Sequence, residues 1–133
     1  MKKRTRRILT VVISIAIVLL AVAVWFKIRY DRMSQVFATA EVGNVDLTEI
    51  DDGTYKGSFG EFLVSVELEV TVQNNAITDI EVIDQHSGPG YEALETIDRI
   101  IAAQSPEVDA LSGATISSQC IMVATYRALK GGD

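Results

Sequence analysis

The chain has one cysteine, one histidine and two prolines among its 133 residues. A single thiol excludes an internal disulfide and any iron–sulfur or zinc site built from several cysteines. A lone histidine cannot assemble a zinc site without other ligands. It also leaves no nucleophile–base pair in a known motif, so no catalytic residue is expected. Basic residues are scarce as well, but only in one part of the chain. From Met33 onward 17 acids face 4 bases (Lys56, Arg99, Arg127 and Lys130), a net of −13. That charge repels a phosphate backbone and argues against a nucleic-acid partner. It is the ordinary charge of a solvated surface, and it would also steer a cationic partner. The acids of Asp51-Asp52-Gly53 lack the spacing of a calcium loop, so no metal is expected there.

The first 32 residues invert this balance. Lys2, Lys3, Arg4, Arg6 and Arg7 form a basic head, and residues 8–26 are then uncharged and almost wholly apolar. Such a run is about long enough to cross a hydrocarbon core as a helix. Lys27, Arg29 and Arg32 follow, with Trp25, Phe26 and Tyr30 suited to an interface. The excess of bases before the run places the N-terminus in the cytoplasm, with the rest outside the cell membrane. A signal peptide cut after Ala23 is the competing reading. The apolar run continues past that cut and favours an uncleaved, single-pass anchor. No polar face interrupts it, which argues against a soluble core helix.

Residues 33–50 read as a linker, and residues 51–133 as one small domain. Residues 62–72 alternate, with Phe62, Val64, Val66, Leu68, Val70 and Val72 on one face. Asn74-Asn75 accepts left-handed dihedrals and closes a hairpin. Residues 76–84 return, carrying Ile77, Ile80, Val82 and Ile83. Tyr55 begins an optional short strand before Gly57. Residues 91–103 then place Leu94, Ile97, Ile100 and Ile101 at helical spacing, and Pro106 ends that helix. A second helix runs from about Ser117 to Leu129, stopped by Lys130-Gly131-Gly132. The expected fold is α+β: a transmembrane helix, then a small antiparallel sheet packed against two helices. Cys120 falls in the last apolar run and is expected to pack as a small hydrophobe.

Two segments carry candidate chemistry. In Asp109-Ala-Leu-Ser-Gly-Ala-Thr115, small residues and hydroxyls precede a helix start, where free N–H groups suit a phosphate. Gly113 permits unusual dihedrals. The plain alternative makes Thr115 or Ser117 an ordinary helix cap. The second segment is His86-Ser-Gly-Pro-Gly90, a break between strand and helix that needs no ligand to explain it.

Asp109, Ser112, Gly113, Ala114 and Thr115 match the motif D-x-x-[ST]-G-A-[TS]. In that order they resemble the flavinylation motif of the FMN-binding domain family, which includes flavin subunits of sodium-translocating NADH:quinone oxidoreductases. The resemblance extends over residues 51–129, with a D-G-x-Y-x-G opening (Asp52, Gly53, Tyr55, Gly57) and the pair Pro89-Gly90. It implies that a flavin transferase, using FAD and magnesium, moves FMN onto Thr115 as a phosphoester. Ser112, Gly113 and Ala114 would let the phosphate approach, and Asp109 would be read by the transferase. Gly88, Pro89 and Gly90 would line the flavin, with Gly88 standing where the family has threonine. Tyr91 and His86 are further candidates beside it.

The function so implied is electron transfer by a membrane-anchored, extracytoplasmic flavoprotein. Its donor would be a membrane dehydrogenase or the quinone pool, and its cofactor would replace a diffusible flavin that is lost outside the cell. Two alternatives keep the fold: a noncovalent flavin or small-ligand binding module, and a membrane-tethered adaptor without cofactor.

Overall fold

A computed structural model describes residues 2–88 and 90–131. The chain divides into two compact units, residues 1–33 and 34–133. Helix α1 (Lys3–Thr39) supplies residues 3–33 of the first unit and residues 34–39 of the second. It contains a window long and apolar enough to cross a membrane. Ile17 and Leu20 are 61% and 66% exposed, which a soluble core helix would not tolerate. At ~1.5 Å per residue, its 37 residues span about 55 Å.

In the second unit three strands form an antiparallel sheet in the order β1 (Gly53–Glu61), β2 (Val64–Gln73), β3 (Ala76–His86). The alternation in β2 determines its faces. Val66, Leu68, Val70 and Val72 are buried, while Glu67 stays exposed. Asn74 and Asn75 turn at φ 51° and 60°, as the sequence predicts. Asp52 Oδ1 accepts from Asn74 N at 2.9 Å and ties that turn to the start of β1.

Helix α3 (Thr115–Leu129) packs on β1 and β2, and α2 (Glu95–Ala103) packs against α3 and β3. Eleven of the fifteen α3 residues are buried, so α3 is a core helix apolar nearly all round. The uncovered sheet face carries much of the negative charge. There Glu67 lies opposite Asp84, and Glu69 opposite Glu81. Lys56 pairs with Glu69 at 3.3 Å.

Four expectations need correction. β1 is a full nine-residue strand, longer than the short element expected around Tyr55. Phe62 belongs to the β1–β2 turn, at φ 58°, and β2 starts at Val64. Ile83 is 47% exposed, because register shifts in the β2–β3 ladder leave it without a partner and turn it outward. The helix expected from Tyr91 starts only at Glu95. Ala93, at φ 57°, is left-handed and breaks the helical path, which leaves Leu94 exposed.

Cys120 is buried as expected, and its Sγ donates to Phe59 O at 3.1 Å. Burial pushes its thiol up to about 12, against a smaller opposing effect of a Val66 backbone hydrogen bond. Because the thiolate is the nucleophile, iodoacetamide at pH 8 should label the folded chain on the order of a thousandfold more slowly than a free thiol. Denaturant should restore the ordinary rate. The linkage has a definite sign. Below the unfolded value of ~8.5 both states hold the proton and stability is unaffected. Between there and about 12 only unfolding releases it, so stability falls as pH rises. Denaturant melts at pH 8 and pH 10 should show a larger fall in wild type than in Cys120→Ala.

Candidate functional site

The register gathers the candidate residues at one end of the sheet. Glu61 pairs with Val64 and Ser65 with His86, so the β1–β2 turn and the end of β3 lie together. The Asn74–Asn75 turn lies at the other end. Helix α3 runs antiparallel to β1: Cys120 touches Phe59, while Ala124 and Ala128 lie against Gly57. Its first residue, Thr115, is therefore directed toward the His86 end. The loop after β3 and the loop before α3 approach this end separately. Among the described residues no hydrogen bond or ion pair joins them.

The loop before α3 has a defined backbone. Ala114 N donates to Leu111 O at 3.1 Å, closing a turn over Ser112 and Gly113. Gly113 has φ 80°, the value of the third position of a type II turn, which glycine fills without a Cβ penalty. A Cβ built there meets nothing within 4 Å, so the backbone faces open space. Ser118, fully buried in α3, accepts from Leu111 N at 3.0 Å and donates to Ala114 O at 2.7 Å. Arg99 Nη1 donates to Asp109 O at 3.1 Å. Asp109, Ser112 and Gly113 are exposed, and Ala114 is half-buried.

Neither Thr115 nor Ser117 is the helix cap. The cap position is Ala114, which offers no side-chain hydrogen bond. Thr115 is the first helical residue and is exposed, with its hydroxyl unbonded among the described residues. Ser117 is only 5% exposed. The turn at Leu111–Ala114 ends one residue before Thr115, and this shifts the helix start upstream of the expected Ser117. The first amides of α3 are thus left without a capping side chain, beside a free hydroxyl and an unobstructed glycine. This arrangement fits a phosphate monoanion.

The loop after β3 is also pinned. Tyr91 N donates to Gly88 O at 2.9 Å, and Gly90 has φ 83° with open space at its Cβ position. Gln85 Nε2 donates to Glu92 O at 2.7 Å, and Gly90 N donates to Glu92 Oε1 at 3.3 Å. A Cβ on Gly88 would come within 3.2 Å of Tyr91 Cδ2. The tyrosine ring therefore takes the space that a larger residue at Gly88 would need. Tyr91 is 55% exposed. His86 is exposed too, 3.6 Å from Asp84 and 3.5 Å from Ser65 Oγ. Pro89 lies outside the described residues. Apart from α1, the exposed large apolar residues among the described residues are Leu63, Ile83, Tyr91 and Leu94. They sit in or near the turns of this end.

Sequence reasoning missed Ser118, Arg99, Gln85 and Glu92. Ser118 had a local signal: a serine one turn into a helix bonds back to the carbonyl four residues earlier. The other three act across elements, and no local pattern announces them. No curated protein matches the chain. The family model of the FMN-binding domain matches residues 64–130, half of the chain, and takes in β2, β3, both loops and α3. By that match the chain belongs to the FMN-binding domain family.

Proposed function

We propose that FMN is attached to Thr115 through its phosphate, and that the chain is a membrane-anchored electron carrier working on the extracytoplasmic side. The observation that carries this reading is the exposed, unbonded Thr115 hydroxyl at the uncapped start of α3. In the transfer, Thr115 Oγ bonds to the flavin-side phosphorus of FAD. The pyrophosphate P–O bond breaks, AMP leaves, and the hydroxyl proton is released. The remaining phosphodiester carries one negative charge, which a helix N-terminus favours. Asp109 serves the transferase rather than the flavin, since two anions side by side repel. Its backbone is held while its carboxylate stays exposed, where a magnesium-bearing enzyme reaches it.

When bound, FMN supplies one- and two-electron chemistry. This chain's residues supply attachment, orientation and surroundings. The exposed Tyr91 offers a ring face beside the loop after β3, and His86 a polar group. The acidic surface steers a basic partner, and a membrane dehydrogenase or quinone-linked enzyme is the proposed donor. A covalent cofactor suits a compartment where free flavin diffuses away.

The test is intact mass and in-gel flavin fluorescence of the full chain, co-expressed with a flavin transferase in the same compartment. The expected result is a gain of one FMN less one water, with fluorescence that survives denaturation. A bare chain, beside a control substrate that is modified, would sink the covalent reading. Colour lost on denaturation would then favour noncovalent binding.

A further inference from the structure

We propose that Arg99 and Ser118 are positioning residues that lock the loop before α3 into a rigid mount, so that a flavin on Thr115 keeps a restricted orientation. The second half of this inference rests on the covalent reading; the first half concerns the loop alone. Between Ala103 and Thr115 the chain forms neither helix nor strand. Connections of that length are ordinarily the mobile parts of a domain. This one is held at intervals from both flanking helices.

At its start the Gln104 side chain bonds both backbone groups of Ile77, accepting from N at 2.7 Å and donating to O at 2.9 Å. Further on, Arg99 reaches from α2 to Asp109 O, with its other terminal nitrogen on Glu95 at 3.4 Å. Ser118 then uses one hydroxyl twice, as acceptor for Leu111 N and donor to Ala114 O. Within the loop, Arg99 and Ser118 grip backbone atoms only. The carboxylate of Asp109 and the hydroxyls of Ser112 and Thr115 are left to face outward. Of the four bases from Met33 onward, Arg99 is the one that bonds this loop. Lys56 sits on the sheet, and Arg127 and Lys130 lie at the far end of α3.

The experiment uses the full chain in detergent, with wild type, Ser118→Ala, Arg99→Met and Arg99→Lys compared by melting temperature first. Amide exchange on the unloaded protein reads the mount without any flavin. Leu111 N–H should exchange slowly in wild type and roughly fivefold or more faster in Ser118→Ala, the effect of losing one hydrogen bond. Time-resolved fluorescence anisotropy of the covalently loaded protein reads the orientation. The fast-decaying component should grow in Ser118→Ala and Arg99→Met, and Arg99→Lys, which keeps one donor, should restore most of the slow component. Arg99 is partly exposed, so its variants should melt close to wild type and keep the test open if Ser118→Ala fails to fold. Unprotected Leu111 in wild type overturns the mount. Identical anisotropy in wild type and Arg99→Met overturns its effect on the flavin. A wild type that takes up no flavin sinks the covalent reading instead, and exchange at Leu111 then decides the mount alone.

Discussion

Thr115→Ala should leave co-expression with a flavin transferase as bare polypeptide, with no flavin mass and no fluorescence after denaturation, whereas Thr115→Ser should keep both. The loss is expected to be complete, because a phosphoester needs a hydroxyl. Four hydroxyl residues lie in this segment, and burial separates them. Ser117 and Ser118 are 5% and 0% exposed, so neither reaches a transferase without unfolding the helix start. The Ser118 hydroxyl is already used in two hydrogen bonds. Ser112 is exposed like Thr115 and is the one serious competitor. It sits inside the turn, though, one residue before Gly113, whereas Thr115 opens the helix, where free amides favour a phosphate. Ser112→Ala should therefore still carry flavin. A flavinylated Thr115→Ala chain, or a bare Ser112→Ala chain beside a modified wild type, would move the attachment site or defeat the reading.

Local pattern fixed the elements and left their junctions open. Strict alternation placed β2, and the Asn74–Asn75 pair placed its hairpin, because side-chain period and turn dihedrals are properties of neighbouring residues. The same logic misassigned Phe62: it is apolar and in phase, yet tight reversal into β1 holds it at φ 58°. Ile83 looked like a core residue until the β2–β3 ladder slipped, and a slip depends on the partner strand. The start of α2 was read too early, because nothing in Tyr91 to Leu94 announces the left-handed Ala93. The motif itself lay in one contiguous stretch and was legible. What holds the two loops was not, since Arg99 and Gln85 act from other elements on residues ten and seven positions away, Arg99 on the loop before α3 and Gln85 on the loop after β3. The uncapped helix end at Ala114 also escaped notice, because serine and threonine nearby suggested a cap that the geometry does not make.

Gly57→Ala should cost the domain about 3 kcal/mol or more, the upper part of what overpacking does, and lower the melting temperature by on the order of 10 °C or more. Gly57 is where α3 crosses β1. A Cβ built there collides with the Ala124 carbonyl and lies 2.8 Å from Ala128 Cβ and 2.9 Å from Ala128 N. Two of those three contacts are helix backbone, so no side-chain rotation relieves them. The helix must lift away from the strand, and it carries Ile121 and Val123, which are buried in the core, as are Leu68 and Val70 of β2. Small domains have only ~5–15 kcal/mol in total, so Gly57→Val is expected to prevent folding. Gly113→Ala provides the contrast. Space there is open but φ is 80°, so a Cβ adds about 1–2 kcal/mol of local strain and disturbs the loop alone. Denaturant melts of both variants in the full chain would check the pair. Equal, small losses would mean that α3 does not sit on Gly57 as closely as described. The close crossing also explains why a glycine belongs at the end of the D-G-x-Y-x-G opening: it lets α3 approach β1, with its first residue aimed at the end of the sheet where the candidate site lies.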